Sequence, residues 1–479
     1  MTGRSTVLAR LRSRRQEYRK PTDGGGFNRR LLAPMVLGSV LNPINSSMIA
    51  VALVPVGTAF GAPPAETAWL VTALYLATAV GQPVIGRLVD GYGPRRLYLV
   101  GTALVGLAGL VGALAPSFGL LIAARVLLGI GTSAAYPAAM HLTRSEAERT
   151  GRSSPTGVLT VLAVANQTIA VVGPTLGGLL IGLGGWRTIF AVNVPLALAC
   201  LALGALRLPL APPRRDSGER LDHAGIALFA VLLLASMLFV MKPGSARWYL
   251  PVLALLAGLG FAVRELRARS PFIDLRALAR NRPLVATYLR QGLGYTAAYA
   301  FLYGYTQWLE EGRGLSAASA GLVLLPLSLS ALTVSSLTGR SPAVHGKLVV
   351  GAALQMAACA ALLLTGPASP LILLVAVGVL AGIPQGLIGL GNQTALYHQA
   401  DPAAIASSAG LLRTFMYLGA MAASAANAAF FPHGATTGGL HHLAQFMLCG
   451  ATLLLLLTLP DRSLARMGTT GGPNSSATK

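Results

Sequence analysis

Fourteen stretches of this chain are each about 20 residues long and almost wholly apolar, a length that matches the thickness of a bilayer. They lie near 31–55, 66–86, 97–115, 119–141, 156–182, 189–208, 223–241, 249–265, 284–308, 316–337, 347–366, 370–391, 404–429 and 440–460. In hydrocarbon no water is present to bond backbone N–H and C=O groups, so a spanning segment must satisfy them internally, as a helix. Charged residues make up 11% of the chain, where a soluble domain carries about 25%. The expected class is therefore an all-α membrane protein.

The basic residues test the count. With the N-terminus inside, 30 Lys and Arg fall on the inner side of the windows, four fall outside (Arg187, Lys242, Arg247, Arg313) and three lie within spans (Arg125, Arg290, Arg413). Such a bias is the mark of cytoplasmic loops. It predicts a multi-pass protein of the cell membrane with both termini cytoplasmic, and it accounts for the net charge of +22 without nucleic acid. The first thirty residues hold nine Lys/Arg and no apolar core, so they read as a tail rather than a cleavable signal. Cys200, Cys359 and Cys449 all sit in apolar windows and read as small buried hydrophobes rather than a disulfide framework.

The windows group as six, two and six. A basic tail (1–30) precedes a first bundle (31–208). A central region (209–283) holds the linker APPRRDSGERLDH, two extra spans and the segment RELRARSPFIDLRALARNRP, expected to lie on the inner surface as an amphipathic helix. A second bundle (284–460) and a tail (461–479) follow. Two six-helix bundles about a shared cavity are a transporter layout.

Several local patterns suit moving helices. The loop GRLVDGYGPRR (86–96) joins spans two and three, with Gly86 and Gly93 free to turn, Asp90 able to pair with a helix end, and Arg95 holding the inner face. Span five contains Gly173-Pro174-Thr175-Leu176-Gly177-Gly178, a kink flanked by residues that let helices approach closely. In span four, Arg125 stands in apolar sequence, where a charge is functional by default. Span one carries Asn42, Asn45, Ser46 and Ser47 around Pro43. Such groups face protein or water, not lipid. Tyr295, Tyr299 and Tyr303 recur at helical spacing in span nine, as a binding face or as packing with Tyr303 and Tyr305 at the interfacial belt. Gln82, Asn166, Gln167, Gln385 and Asn392 are further polar candidates.

The loop at 86–96 resembles the major facilitator superfamily signature G-x-L-x-D-R-x-G-R-R, with Gly91 and Pro94 as departures. The hexapeptide 173–178 is similar to the centre of that family's antiporter signature, and Arg125, Gly129 and Gly131 to its R-x-x-x-G-x-G. WLVTALYLA (69–77) and GWRTIFAVNVP (185–195), with the two extra spans, resemble the fourteen-span drug:proton antiporter family. The resemblance implies the major facilitator fold and export of a small-molecule substrate by alternating access. Its site would be Asn42, Asn45, Gln82, Arg125, Asn166, Gln167, Tyr295 and Tyr299. Gly86, Asp90, Gly93 and Arg95 would form the latch, and Gly173, Pro174, Gly177 and Gly178 the hinge.

One departure matters. Asn45 occupies the place of that family's first-span acid, and all fifteen acids fall in loops or at window ends. Protons stay a candidate coupling ion without a mid-membrane carboxylate to carry them. A carrier of an anionic or neutral metabolite is the nearest alternative, and a non-transporting scaffold or sensor a more distant one. No metal-ligand spacing or phosphate-binding loop is present, so neither cofactor nor enzyme chemistry is expected. The protein is expected to work as a monomer in the lipid bilayer.

Overall fold

The computed structural model describes residues 28–464 apart from 151–155, 210–221, 242–244, 269–270, 272, 274, 340, 342, 401–404 and 462. Each of the fourteen windows holds a helix. In chain order these are α1 (Arg29–Phe60), α2 (Pro64–Tyr92), α3 (Pro94–Ala113), α4 (Phe118–Thr143), α5 (Thr156–Gly184) and α6 (Thr188–Arg207), then α7 (His223–Met241) and α8 (Tyr249–Arg267). After a short α9 (Leu275–Arg280) come α10 (Arg282–Gln307), α11 (Ala317–Thr338), α12 (Val344–Leu362), α13 (Leu371–Gln399), α14 (Ile405–Phe430) and α15 (Thr437–Thr458). Among the described residues, eleven of these are long and apolar enough to cross a membrane. The other three, α5, α10 and α14, have 29, 26 and 26 residues. At 1.5 Å rise per residue each reaches roughly 39 Å or more.

Local chemistry sets the helix ends. Pro64 and Pro94 open α2 and α3, where a missing N–H is harmless. Ser117, Asn281, Ser316 and Thr436 accept hydrogen bonds from the first turns of α4, α10, α11 and α15. Gly93, between α2 and α3, has φ 90°, a conformation a side chain would oppose. α1 is not regular: its α-helical run is interrupted at Val40 and tightens into a 3-10 turn at Ile49–Ala52, and the Ser46 and Ser47 hydroxyls donate back to Pro43 O. These bonds supply the acceptors that water would otherwise provide.

We call the end where α1 begins the proximal face and the other the distal face. α1 to α6 form one bundle and α10 to α15 the other. They meet chiefly where α5 packs on α11 and α2 on α14. Backbones touch there: a methyl group on Gly178 would come within 2.6 Å of Ala317 O, and one on Gly321 within 2.8 Å of Pro174 O. α7 and α8 pair as a hairpin on α2 and α14, fastened at its base by Arg264 and Asp222 at 3.1 Å. Leu206, Leu255, Leu337 and Ile372 are among many large apolar side chains left exposed. A water-facing surface of that kind would aggregate, whereas lipid covers it without penalty.

Three details differ from the sequence expectation. Cys449 is exposed rather than buried. Among the described residues of the segment after α8 the helix is the six-residue α9, and α8 itself runs on to Arg267. Tyr303 is buried between the bundles and Tyr305 inside the second one, not set in an outer belt. A valine at Gly101, whose Cβ would meet Gly131 O at 2.6 Å, is expected to lower thermal stability in detergent by about 1–3 kcal/mol through overpacking. Gly119→Ala, with open space around it, should leave the unfolding midpoint within error in the same fluorimetric scan.

Candidate substrate site between the bundles

Span one's polar stretch is largely committed to its own bundle. Asn45 and Asn193 form a reciprocal amide pair, each Nδ2 donating to the other's Oδ1 at 2.6 and 2.8 Å, and both are buried. Asn45 Nδ2 also donates to Leu41 O, and Asn193 Nδ2 to Ile189 O and Phe190 O. The pair fastens α1 to α6. Asn42 donates to Thr132 Oγ1 of α4 at 3.1 Å, and Asn166 of α5 to Ser39 Oγ of α1 at 3.3 Å. Gln167 lies on α5, with its side chain outside the described residues.

Arg125 is 1% exposed, so it does not reach the headgroups. Its Nε donates to Leu70 O of α2 at 2.8 Å and its Nη1 to Asn45 O of α1 at 3.2 Å. Nη2 is buried and has no partner. A guanidinium thus ties three helices together through backbone carbonyls and retains one donor group. Tyr75 and Tyr303 are the titratable side chains near it.

Those tyrosines begin an aromatic column between the bundles. Tyr75 of α2 lies 5.5 Å from Tyr299 and 5.6 Å from Tyr417, ring centre to centre. Along α10, Tyr295 to Tyr299 is 5.8 Å and Tyr299 to Tyr303 is 5.6 Å. Four-residue spacing puts these three on one face, and that face meets the first bundle. The hydroxyls cross the interface: Tyr75 and Tyr303 are 3.3 Å apart, Tyr303 donates to Ser46 O, and Gln82 Nε2 donates to Tyr417 OH at 3.1 Å. Towards the distal face Thr72 bonds Ser424, Ser424 bonds Ala68 O, and Thr175 bonds Gly321 O. Towards the proximal face the Arg413 guanidinium sits 3.5 Å over the Tyr136 ring.

Two of the hinge candidates lie against α1, and Pro174 and Gly178 against α11. A side chain on Gly173 would overlap Ser47, and one on Gly177 would come within 2.9 Å of Met48 O. Pro174 is buried inside α5 and opens its backbone at the crossing with α11. Of the latch candidates, Arg95 Nη2 donates to Ala205 O of α6 at 2.7 Å, and Gly86 faces Pro137 of α4. Both contacts stay within the first bundle. Gly93 supplies the turn; the side chain of Asp90 lies outside the described residues.

Sequence reasoning did not weigh Asn193, Tyr75 or Tyr417. The first two lie inside motif stretches read there only as family markers; Tyr417 carried no local signal. At the proximal face Arg290, 0% exposed, pairs with Asp461 at 2.8 Å, so it is bound in place rather than extended to the surface. Burial raises the Asp461 carboxyl, but hydrogen bonds from Ser463 and Arg290 outweigh it and hold the group below its ordinary range. Histidine, cysteine and acidic side chains form no metal cluster among the described residues.

Two packed six-helix bundles with a polar and aromatic seam define a membrane transporter. The family model of the Major Facilitator Superfamily matches residues 35–424, and the chain belongs to that superfamily. It is 33% identical over 443 residues to the uncharacterized MFS-type transporter YwoD of Bacillus subtilis, covering 88% of this chain and 95% of that one. It is 30% identical over 348 residues to a multidrug resistance protein B homolog of Mycobacterium tuberculosis, covering 70% of this chain and 62% of that relative. A solved structure of the nucleoside transporter NupG, in a mutant form, shares the fold, with a TM-score of 0.61 and 11% identity over 92% of this chain and 100% of that one.

Asn193→Leu leaves the Asn45 amide without its partner, which is expected to destabilise the protein by about 1–3 kcal/mol. Replacing both by Leu should recover most of that loss in a thermal scan. Recovery of transport along with stability would mark the pair as structural, and its absence would keep Asn45 as a substrate ligand.

Proposed function

We propose that this protein is a secondary active exporter of small amphipathic organic compounds, with fourteen spans, working by rocking of its two bundles. The observation that carries the reading is the tyrosine column between the bundles, with the buried Arg125 at its side. Aromatic faces with hydroxyl tips suit a ligand that is apolar over most of its surface and polar at a few points. The printed name of the M. tuberculosis relative, multidrug resistance, agrees with that class.

In this reading the distal face is extracellular and the proximal face, with its basic loops and both termini, is cytoplasmic. The protein works as a monomer in the cell membrane, with protons as the coupling ion. The bonded distal seam then corresponds to a state closed to the outside. Tyr295, Tyr299, Gln82 and Asn42 would meet substrate, with Asn166 and Gln167 on the wall of the path. Asn45 would hold α1 in register through Asn193. The kinked stretch from Gly173 to Gly178 would be the hinge, and Asp90 with Arg95 would latch the cytoplasmic side when the outer side opens.

A second reading, a carrier of an anionic or neutral metabolite, draws on the unpartnered Nη2 of Arg125. Efflux from energised inverted vesicles, across cationic, neutral and anionic dyes with and without an uncoupler, separates the two. The exporter reading expects uncoupler-sensitive movement of at least one amphipathic dye. Tyr299→Ala should reduce it by about tenfold, the scale of one lost aromatic contact. Movement of anions alone, abolished in Arg125→Ala, would select the carrier. A folded protein that moves none would remove both.

A further inference from the structure

Beyond the end of α10 the chain widens into a π turn, Trp308–Gly312. Trp308 Nε1 donates to Thr437 Oγ1 at 3.0 Å, and Glu311 Oε2 accepts from Ala435 N at 2.6 Å, which anchors the turn to the α14–α15 corner. Glu310 is held differently. It is 7% exposed, and its Oε1 is fully buried without a hydrogen-bond partner. Its chain neighbours Gln307 and Glu311 line a pocket of about 340 Å³ between the two bundles, with His433 on the same side and Gly57, Thr58 and Thr67 on the other; Glu310 itself sits behind that wall. Gln307 Oε1, on that wall, is buried and unpartnered as well.

An ionised carboxylate is rarely left buried and unpaired, because desolvation disfavours the charged form. Burial, and then the charge of Glu311, push the Glu310 carboxyl up to about 9. The cations nearby do not rescue it. The π turn packs on α10, α11 and α15. α10 offers Tyr305, whose hydroxyl is given to Leu374 O; α11 carries no titratable side chain; α15 brings His441, bonded to Thr365 O, and His442, against Phe430. Arg313 on the turn's own end, His433 in the corner and Glu66 at the start of α2 complete the set.

We propose that Glu310 is a proton-binding site behind the wall of the distal pocket, and that closure of the distal face requires its protonation. The proposal rests on the transporter reading above and adds a regulator to it. In the closed state the acid is neutral and dry. Opening lets water in from the distal side, the carboxyl returns towards its ordinary value, and the proton leaves. The sign follows: the closed state binds the proton more tightly, so acid favours closing. The open-to-closed ratio should rise by up to tenfold per pH unit between the ordinary carboxylate range and about 9.

The test is the distance across the pocket, read by electron–electron resonance between spin labels at Thr58→Cys and Gly438→Cys. The full chain would be placed in lipid nanodiscs in a Cys449→Ser background. Both label sites are exposed, one on each bundle. The expected result is a short distance at low pH and a growing long-distance population as pH rises, with Glu310→Gln fixed in the short form. Glu310→Leu, which fills the site without polar atoms, is the second variant and should behave the same way. Glu311→Gln and His433→Ala should keep a pH response. A transition unchanged in both Glu310 variants, or one lost only with Glu311 or His433, overturns the proposal. The measurement needs no substrate. Dye export with pH-insensitive distances would remove the proton site alone, and a pH response without export would leave it standing while removing the transport reading.

Discussion

The rest of this structure depends on an interface that holds without a strong bond. Across the seam between the bundles, six hydrogen bonds among the described residues link neutral hydroxyl, amide and carbonyl groups. Interhelical bonds in membranes average about 0.6 kcal/mol, so together they supply roughly 4 kcal/mol. That is the scale of a two-state equilibrium whose minor state stays populated. Apart from Arg413 over the Tyr136 ring at the proximal end of the seam, the charged fastenings lie elsewhere: Arg125 on the carbonyls of α1 and α2, Arg290 on Asp461, and Arg264 on Asp222. These three act inside one bundle or within the α7–α8 hairpin. Rigid halves and a weak seam are what a rocking transporter needs.

The same division explains the contacts of the segment 86–96, which is not the loop its glycines suggest: α2 continues through Gly86 to Tyr92, and the turn is confined to Gly93. With the distal seam bonded, Arg95 donates to α6 and Gly86 faces α4, both in their own bundle. A latch between bundles would have to form at one face as the seam at the other opens. The small residues of α5 serve the seam differently. Gly178 and Pro174 bring the backbones of α5 and α11 into contact, and a backbone contact without interlocked side chains can separate and reform.

Much of this was legible in the sequence, for physical reasons. Helix number and position followed from apolar length, because the bilayer imposes a single solution on the backbone. Arg125 and the tyrosines of α10 stood out because polar groups in apolar windows must face protein. Pairing across distance was beyond reach. Asn45 looks like a free ligand until Asn193, 148 residues later, is seen against it. Tyr417 looks like an ordinary aromatic until Gln82 and Tyr75 arrive from the other bundle. Glu310 was read as a loop acid at a window edge. Only its burial in a π turn sets it apart, and no periodicity announces a π turn.

The central claim is that the seam opens. Thr72 and Ser424 face each other across it, with hydroxyl oxygens 3.1 Å apart, so cysteines at both positions are within disulfide reach. Export of a dye moved by the native protein would be measured after oxidation of the Thr72→Cys/Ser424→Cys protein and again after reduction. The account predicts that cross-linking stops export and that reduction restores it. Full export from a quantitatively cross-linked protein would contradict it.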